Sequence, residues 1–170
     1  MSTRQLAQAV GISQPSLYAY FRSHEEIAQE LCVRAFGQLA QDLRAALEAA
    51  PDDQRMLAGL RCYVDFGLRR PNDYRVAFIL ESHAKFDPGS DDLDPILAAG
   101  LGAYNVLRGE VARAIGEAAE VDLAAQSIWA GLHGLVSLLI TRPEFPWVDR
   151  ERLIDSHIAR LAHSMGQDRP

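Results

Sequence analysis

Residues 3–26 read TRQLAQAVGISQPSLYAYFRSHEE, and the way this stretch divides decides the fold. Ser2-Thr3-Arg4-Gln5 has the S-x-x-Q form of a capping box, whose side chains satisfy the first free amides of a helix. A short helix follows to Val10, with Leu6, Ala7 and Val10 on a narrow apolar face. Gly11 stops it, since glycine takes φ > 0 without steric cost. Ser13 caps a second short helix whose first turn tolerates Pro15. Ser23-His24-Glu25-Glu26, an S-x-x-E box, opens a third and much longer helix. Two short helices joined by a tight turn, with a long helix directly behind, make a helix-turn-helix.

In such a unit the second helix lies in the major groove with its N-terminal residues at base edges. Gln14, Pro15 and Ser16 stand there, and Gln14 and Ser16 carry groups able to bond bases. Tyr18 and Tyr20 offer hydroxyls to phosphate oxygens. An aromatic cluster at helical spacing is ordinarily core, and Phe21 is read so. Positions i and i+2 cannot share a helix face, so at least one of the two tyrosines points outward. The net charge of −6, taken as a sum, argues against nucleic acid, but its distribution does not. Residues 1–24 hold Arg4 and Arg22 and no acid, so a total of −6 less this +2 leaves −8 on residues 25–170. A weakly basic head on an acidic body permits contact with DNA.

The run from Thr3 to Ser13, followed by Ser16-Leu17-Tyr18-Ala19-Tyr20-Phe21-Arg22-Ser23-His24-Glu25-Glu26, resembles the DNA-binding signature of the tetracycline-repressor (TetR) family almost position by position. Its L-Y-x-Y-F-x-S-x-E-E segment is the specific part. The resemblance implies DNA contacts from Thr3, Arg4, Tyr18 and Tyr20. It implies one more from the residue after Ser23, usually lysine and here His24, whose neutral imidazole weakens that contact. Near the other end, Trp129-Ala130-Gly131-Leu132-His133-Gly134-Leu135 resembles the Trp/His/Gly signature of one subgroup's regulatory domain. Residues from about 45 to 120 match by helical pattern only. The family carries a further helix before the motif, which this chain lacks. Either the true start lies upstream, which is the expectation, or this is a shortened member with a poorly braced head. The rival functional reading is a helical ligand-binding or interaction protein without DNA binding.

Working outward, the whole chain reads as all-α. Ile27, Leu31, Ala35, Leu39, Leu43 and Leu47 recur at i+4 until Pro51-Asp52-Asp53 breaks the helix. Further helices are expected over about 54–69 (Leu57, Leu60, Val64 and Leu68 on one side), 73–84, 95–119, 122–141 and 149–165. A turn at Arg70–Asp73 and a surface loop at 86–95 separate them. This divides the chain into a head (1–26), a connecting helix (27–48) and an effector-binding and dimerisation domain (49–170). Tyr63, Phe66, Phe78, Tyr104, Leu107, Trp129 and His133 are the candidate pocket, suited to a small apolar or aromatic effector. Gly134, Leu138, Ile154, Ile158, Leu161 and Met165 are the candidate dimer interface. The glycines Gly131 and Gly134 each cost a helix about 1 kcal/mol, which points to close helix approach.

Other chemistries find no motif. Cys32 and Cys62 stand alone, without metal-ligand spacing, and read as reduced thiols. Asp87, Asp91, Asp92 and Asp94 lack the spacing of a calcium loop and read as solvated. Ser82-His83 has no nucleophile-elbow glycines. No stretch reads as a secretory signal or a membrane span. The resemblance therefore implies a cytoplasmic, ligand-responsive repressor, dimeric on palindromic operator DNA, with no enzymatic activity, cofactor or metal.

Overall fold

The computed structural model describes residues 24–79, 93–116 and 120–167. Its helices are α1 (His24–Ala49), α2 (Arg55–Arg69), α3 (Pro71–Tyr74), α4 (Pro95–Ile115), α5 (Val121–Thr141) and α6 (Arg150–Gln167). A π-helical turn, Arg75–Ile79, continues α3. No strand occurs among the described residues.

The stripe on α1 explains its central place. Four residues turn an α-helix by 400°, so an i+4 stripe drifts about 40° at every step and winds around the helix. Cys32, Phe36 and Ala40 add a second buried ridge beside it. Two directions are thereby apolar, and α1 packs on both α4 and α2. On α2 the buried face is wider than expected. Leu60 and Val64 are fully enclosed with Tyr63, Phe66 and the glycines 59 and 67, whereas Leu57 is exposed. The cause is that α2 touches α1, α5 and α6 together.

The expected turn at Arg70–Asp73 is instead the first turn of α3. Pro71 occupies N1, where its missing N–H removes no hydrogen bond. Asp94, read as loop, caps α4 by accepting from the amides of Ile96 (2.8 Å) and Leu97 (3.4 Å). That helix closes at Gly116, where φ is 89°, earlier than the periodicity suggested. In contrast to the expectation of no membrane-length segment, α5 is long and apolar enough to cross a bilayer. Its uncharged polar residues Gln126, Ser127 and His133 do not interrupt such a run. In the fold it packs against α2, α4 and α6, burying Ile128, Leu132 and Val136.

Among the described residues Glu110 is the buried charged one. Arg55 reaches its Oε2 at 3.2 Å and Arg113 its Oε1 at 2.6 Å. The same arginines donate to the carbonyls of Leu47 (2.8 Å) and Asp52 (3.1 Å), so one carboxylate ties the end of α1, the α1–α2 link and α4 together. On the surface Arg61 of α2 bridges Glu151 and Asp155 of α6.

The final helix corrects the dimer assignment at two positions. Ile154 and Ile158 are 1% and 5% exposed, inside the chain's own core. Leu161 is half-buried and sits 3.0 Å from where a Cβ on Gly131 would stand. Ile154 and Ile158 therefore face α5 and α2 of the same chain, Leu161 does so in part, and Gly131 serves that intrachain approach. Met165 lies on the last turn of α6, its side chain outside the described residues. Gly134 has nothing within 4 Å of its missing side chain, and Leu138 is 49% exposed.

Candidate effector pocket

Helices α1, α2, α4 and α5 and the π turn enclose a cavity of about 560 Å³. Phe36, Leu39 and Leu43 of α1 form one wall, and Ala77 and Phe78 of the π turn another. Tyr104 and Leu107 come from α4, and Gln126, Trp129 and His133 from α5. Tyr63 completes the lining from α2. The aromatic groups hold one another. Phe36 meets Phe78 edge-on at 4.9 Å, and Tyr104 and Trp129 lie 5.9 Å apart.

Six of the seven expected pocket residues thus line one space. Phe66 does not. It lies 60° around α2 from Tyr63, is buried in the core, and carries the Arg70 guanidinium 5.9 Å above its ring. The larger omission is α1, expected to be only a connecting helix. Its second ridge at Cys32, Phe36 and Ala40 was visible in sequence, but periodicity does not say what a buried face encloses. Of the eight expected DNA contacts, Thr3, Arg4, Gln14, Pro15, Ser16, Tyr18 and Tyr20 lie outside the described residues, and His24 opens α1.

One end of the cavity is polar and internally satisfied. Tyr74, which sequence reading missed, is fully buried and joins Tyr63 (3.1 Å between hydroxyls) to His133 Nδ1 (2.8 Å). His133 Nε2 reaches Ser137 Oγ at 3.2 Å. If Tyr74 donates to Nδ1, then Nε2–H donates to Ser137 and Tyr63 donates to Tyr74, so the two phenols and the imidazole all place their protons within the network. Burial keeps every member neutral near pH 7. It raises Tyr63 well above 10, pushes Tyr74 to about 12, and lowers His133 below its ordinary 6.5. The Tyr104 hydroxyl is buried without a hydrogen bond, Gln126 lying beside it outside bonding geometry. Cys32 donates its thiol to the Val76 carbonyl at 3.3 Å, fastening the π turn to α1.

The lowered His133 pKa makes a pH prediction. Below 6.5 the unfolded chain takes a proton that the folded chain resists, so stability contributed here is full above that pH. It is lost as pH falls from there through the lower folded value. Urea midpoints between pH 8 and pH 5 should drop on the acid side for the native chain and less for His133→Gln. Parallel profiles would show that His133 does not titrate differently on folding.

Among the described residues no group of three metal-ligating side chains converges. Comparison with known proteins agrees with this geometry. A family described as "Tetracyclin repressor-like, C-terminal domain" matches residues 56–161, and "Bacterial regulatory proteins, tetR family" matches residues 1–31. A Bacillus subtilis (strain 168) relative, the uncharacterized HTH-type transcriptional regulator YobS, is 29% identical over 85 residues. That match spans 50% of this chain and 44% of the relative. Among solved structures, the TetR family transcriptional regulator PfmR from Thermus thermophilus superposes with a TM-score of 0.67 at 20% identity, covering 96% of this chain and 88% of that one. The Bacillus subtilis transcriptional regulator FadR, solved in complex with stearoyl-CoA, gives 0.68 at 19% identity, covering 95% and 87%. At such identities these structures speak for the fold, while the two family matches reach both ends of the sequence: the chain belongs to the TetR family of bacterial regulatory proteins.

Proposed function

We propose that this chain is a ligand-responsive transcriptional regulator, a repressor that leaves its operator when a small apolar molecule fills the cavity. The observation that carries the reading is the double role of α1. It begins at His24, directly behind the helix-turn-helix sequence, and its Phe36, Leu39 and Leu43 form a wall of the cavity. A ligand that prefers one placement of α1 over another has differential affinity for two head positions, which is what coupling between sites requires. FadR, solved with stearoyl-CoA, whose acyl chain is apolar, lends support for a ligand with an apolar part. The activity is one of binding, and a DNA target puts the protein in the bacterial cytoplasm.

DNA binding would occupy residues 1–26, with domains as divided above except that α1 also belongs to the effector site. Affinity for an operator selected from random duplexes should fall steeply with salt. Tyr18→Phe and Tyr20→Phe should weaken binding to every sequence alike, by roughly tenfold for each lost phosphate bond. Gln14→Ala should relax base preference instead, and His24→Lys should raise affinity most at low salt. An unchanged Tyr20→Phe protein would remove Tyr20 from the phosphate contacts.

A homodimer suits the palindromic operator. With Ile154 and Ile158 buried in the chain's own core, the seam falls on the outer face of α5. Leu123, Ala130, Gly134 and Leu138 recur there at helical spacing, and Leu123 and Leu138 are 62% and 49% exposed. Leu138→Glu should yield a helical monomer by sedimentation and circular dichroism, whereas Ile158→Glu should unfold the chain. A dimeric Leu138→Glu protein would move the seam elsewhere.

A further inference from the structure

Taking the cavity as the effector site, we propose that it admits only uncharged matter: its ligand is neutral, or keeps any ionised group outside the mouth. None of the described lining residues is Asp, Glu, Lys or Arg. The charged side chains of α4 and α5 nearest in sequence are engaged elsewhere. Arg108 pairs with Asp122 at 2.6 Å on the surface, and Glu110 is held between Arg55 and Arg113.

His133 is the lining group that could become a cation, and its two nitrogens are already committed to Tyr74 and Ser137. A protonated imidazole would have to donate from both. Where Tyr74 donates to Nδ1 this reverses the Tyr74 hydroxyl and leaves the Tyr63 proton without its acceptor, and where Nδ1–H donates to Tyr74 it turns the Ser137 hydroxyl away from Nε2. Countering an anion thus requires breaking a buried network, at a cost added to desolvating the anion itself. The Tyr104 hydroxyl is enclosed by protein and offers no compensation. What remains for the ligand among the described residues is aromatic and aliphatic surface, with Gln126 as an exposed amide on the lining. That chemistry selects by shape and by absence of charge.

A rigid probe with a charge at each end separates this idea from the cavity reading it rests on. 2,6-Naphthalenedicarboxylate must carry one carboxylate inward, whereas its monomethyl ester can turn the ester inward and leave the other end in water. 2-Naphthoate serves as a second single-charge probe. Dissociation constants are measured calorimetrically at pH 7.5 on the full chain, and occupancy is followed by quenching of Trp129 fluorescence in a Trp147→Phe background. The half-ester and 2-naphthoate should bind and quench, and the dicarboxylate should bind about a hundredfold more weakly than the half-ester. A dicarboxylate within tenfold of the half-ester, quenching Trp129 equally, would overturn charge exclusion and leave the effector cavity standing. No quenching by any of the three would overturn both readings at once.

Discussion

Gly67→Ala is expected to cost about 2–3 kcal/mol of folding stability, at the upper end for overpacking by a single methyl group. A Cβ at this position would run into Val136 Cγ1 and stand 2.9 Å from Tyr74 Cδ2. Neither neighbour can yield cheaply. Val136 is fully buried and β-branched, so its χ1 is stiff. Tyr74 is also fully buried and its hydroxyl is tied to Tyr63 and His133. The melting temperature should fall by roughly 5–10 °C. Gly109→Ala is the control: nothing lies within 4 Å of that missing side chain, so the same change should stabilise by up to about 1 kcal/mol. Thermal unfolding followed by circular dichroism reads both signs. If Gly67→Ala melts with the native chain, α2 and α5 are free to separate at the Gly67–Val136 contact.

Glu110→Ala should be of similar size for a different reason. Breaking a buried ion pair commonly costs about 3–5 kcal/mol because the surviving charge is stranded. Here the survivors are Arg55 and Arg113, whose side chains are 25% and 45% exposed and can regain water. About 2–3 kcal/mol is therefore expected, with Glu110→Gln intermediate because its amide oxygen can still accept one of the two guanidinium groups. Loss of the carboxylate also frees the groups that hold the Leu47 and Asp52 carbonyls, so proteolysis near residues 50–54 should accelerate. Denaturant unfolding of the two variants and a timed protease digest test this. A Glu110→Ala protein as stable as the native one would mean that the arginines are held by those carbonyls alone.

Much of the architecture was legible because helices are written locally. The i+4 stripe of α1, the break at Pro51 and the start of α4 at Pro95 are decided by neighbours within a few residues of one another. The aromatic pocket candidates were legible too, since Tyr63, Phe78, Tyr104, Trp129 and His133 are bulky or polar groups on otherwise apolar helix faces. The π turn was not: Arg75–Ile79 has no periodicity of its own distinct from an α-helix, and its form goes with its packing against α1. Tyr74 escaped notice because its partners stand 11 and 59 residues away.

The sequence by itself determined an all-helical chain and a helix-turn-helix signature at its start, and it marked six of the side chains that line the apolar cavity. Only the tertiary structure decided which apolar faces close on the chain itself. Ile154 and Ile158 carry the same spacing as a dimer stripe, yet they are covered by the chain's own helices, while Leu123 and Leu138 of α5 are left uncovered. The wall formed by α1 belongs to the same class of fact. Periodicity records that a helix face must leave water, because apolar area is favoured by burial wherever it finds cover. Burial is non-directional, so the pattern carries no information about whether that cover is the same chain, a ligand or a second copy, and long-range packing makes the choice.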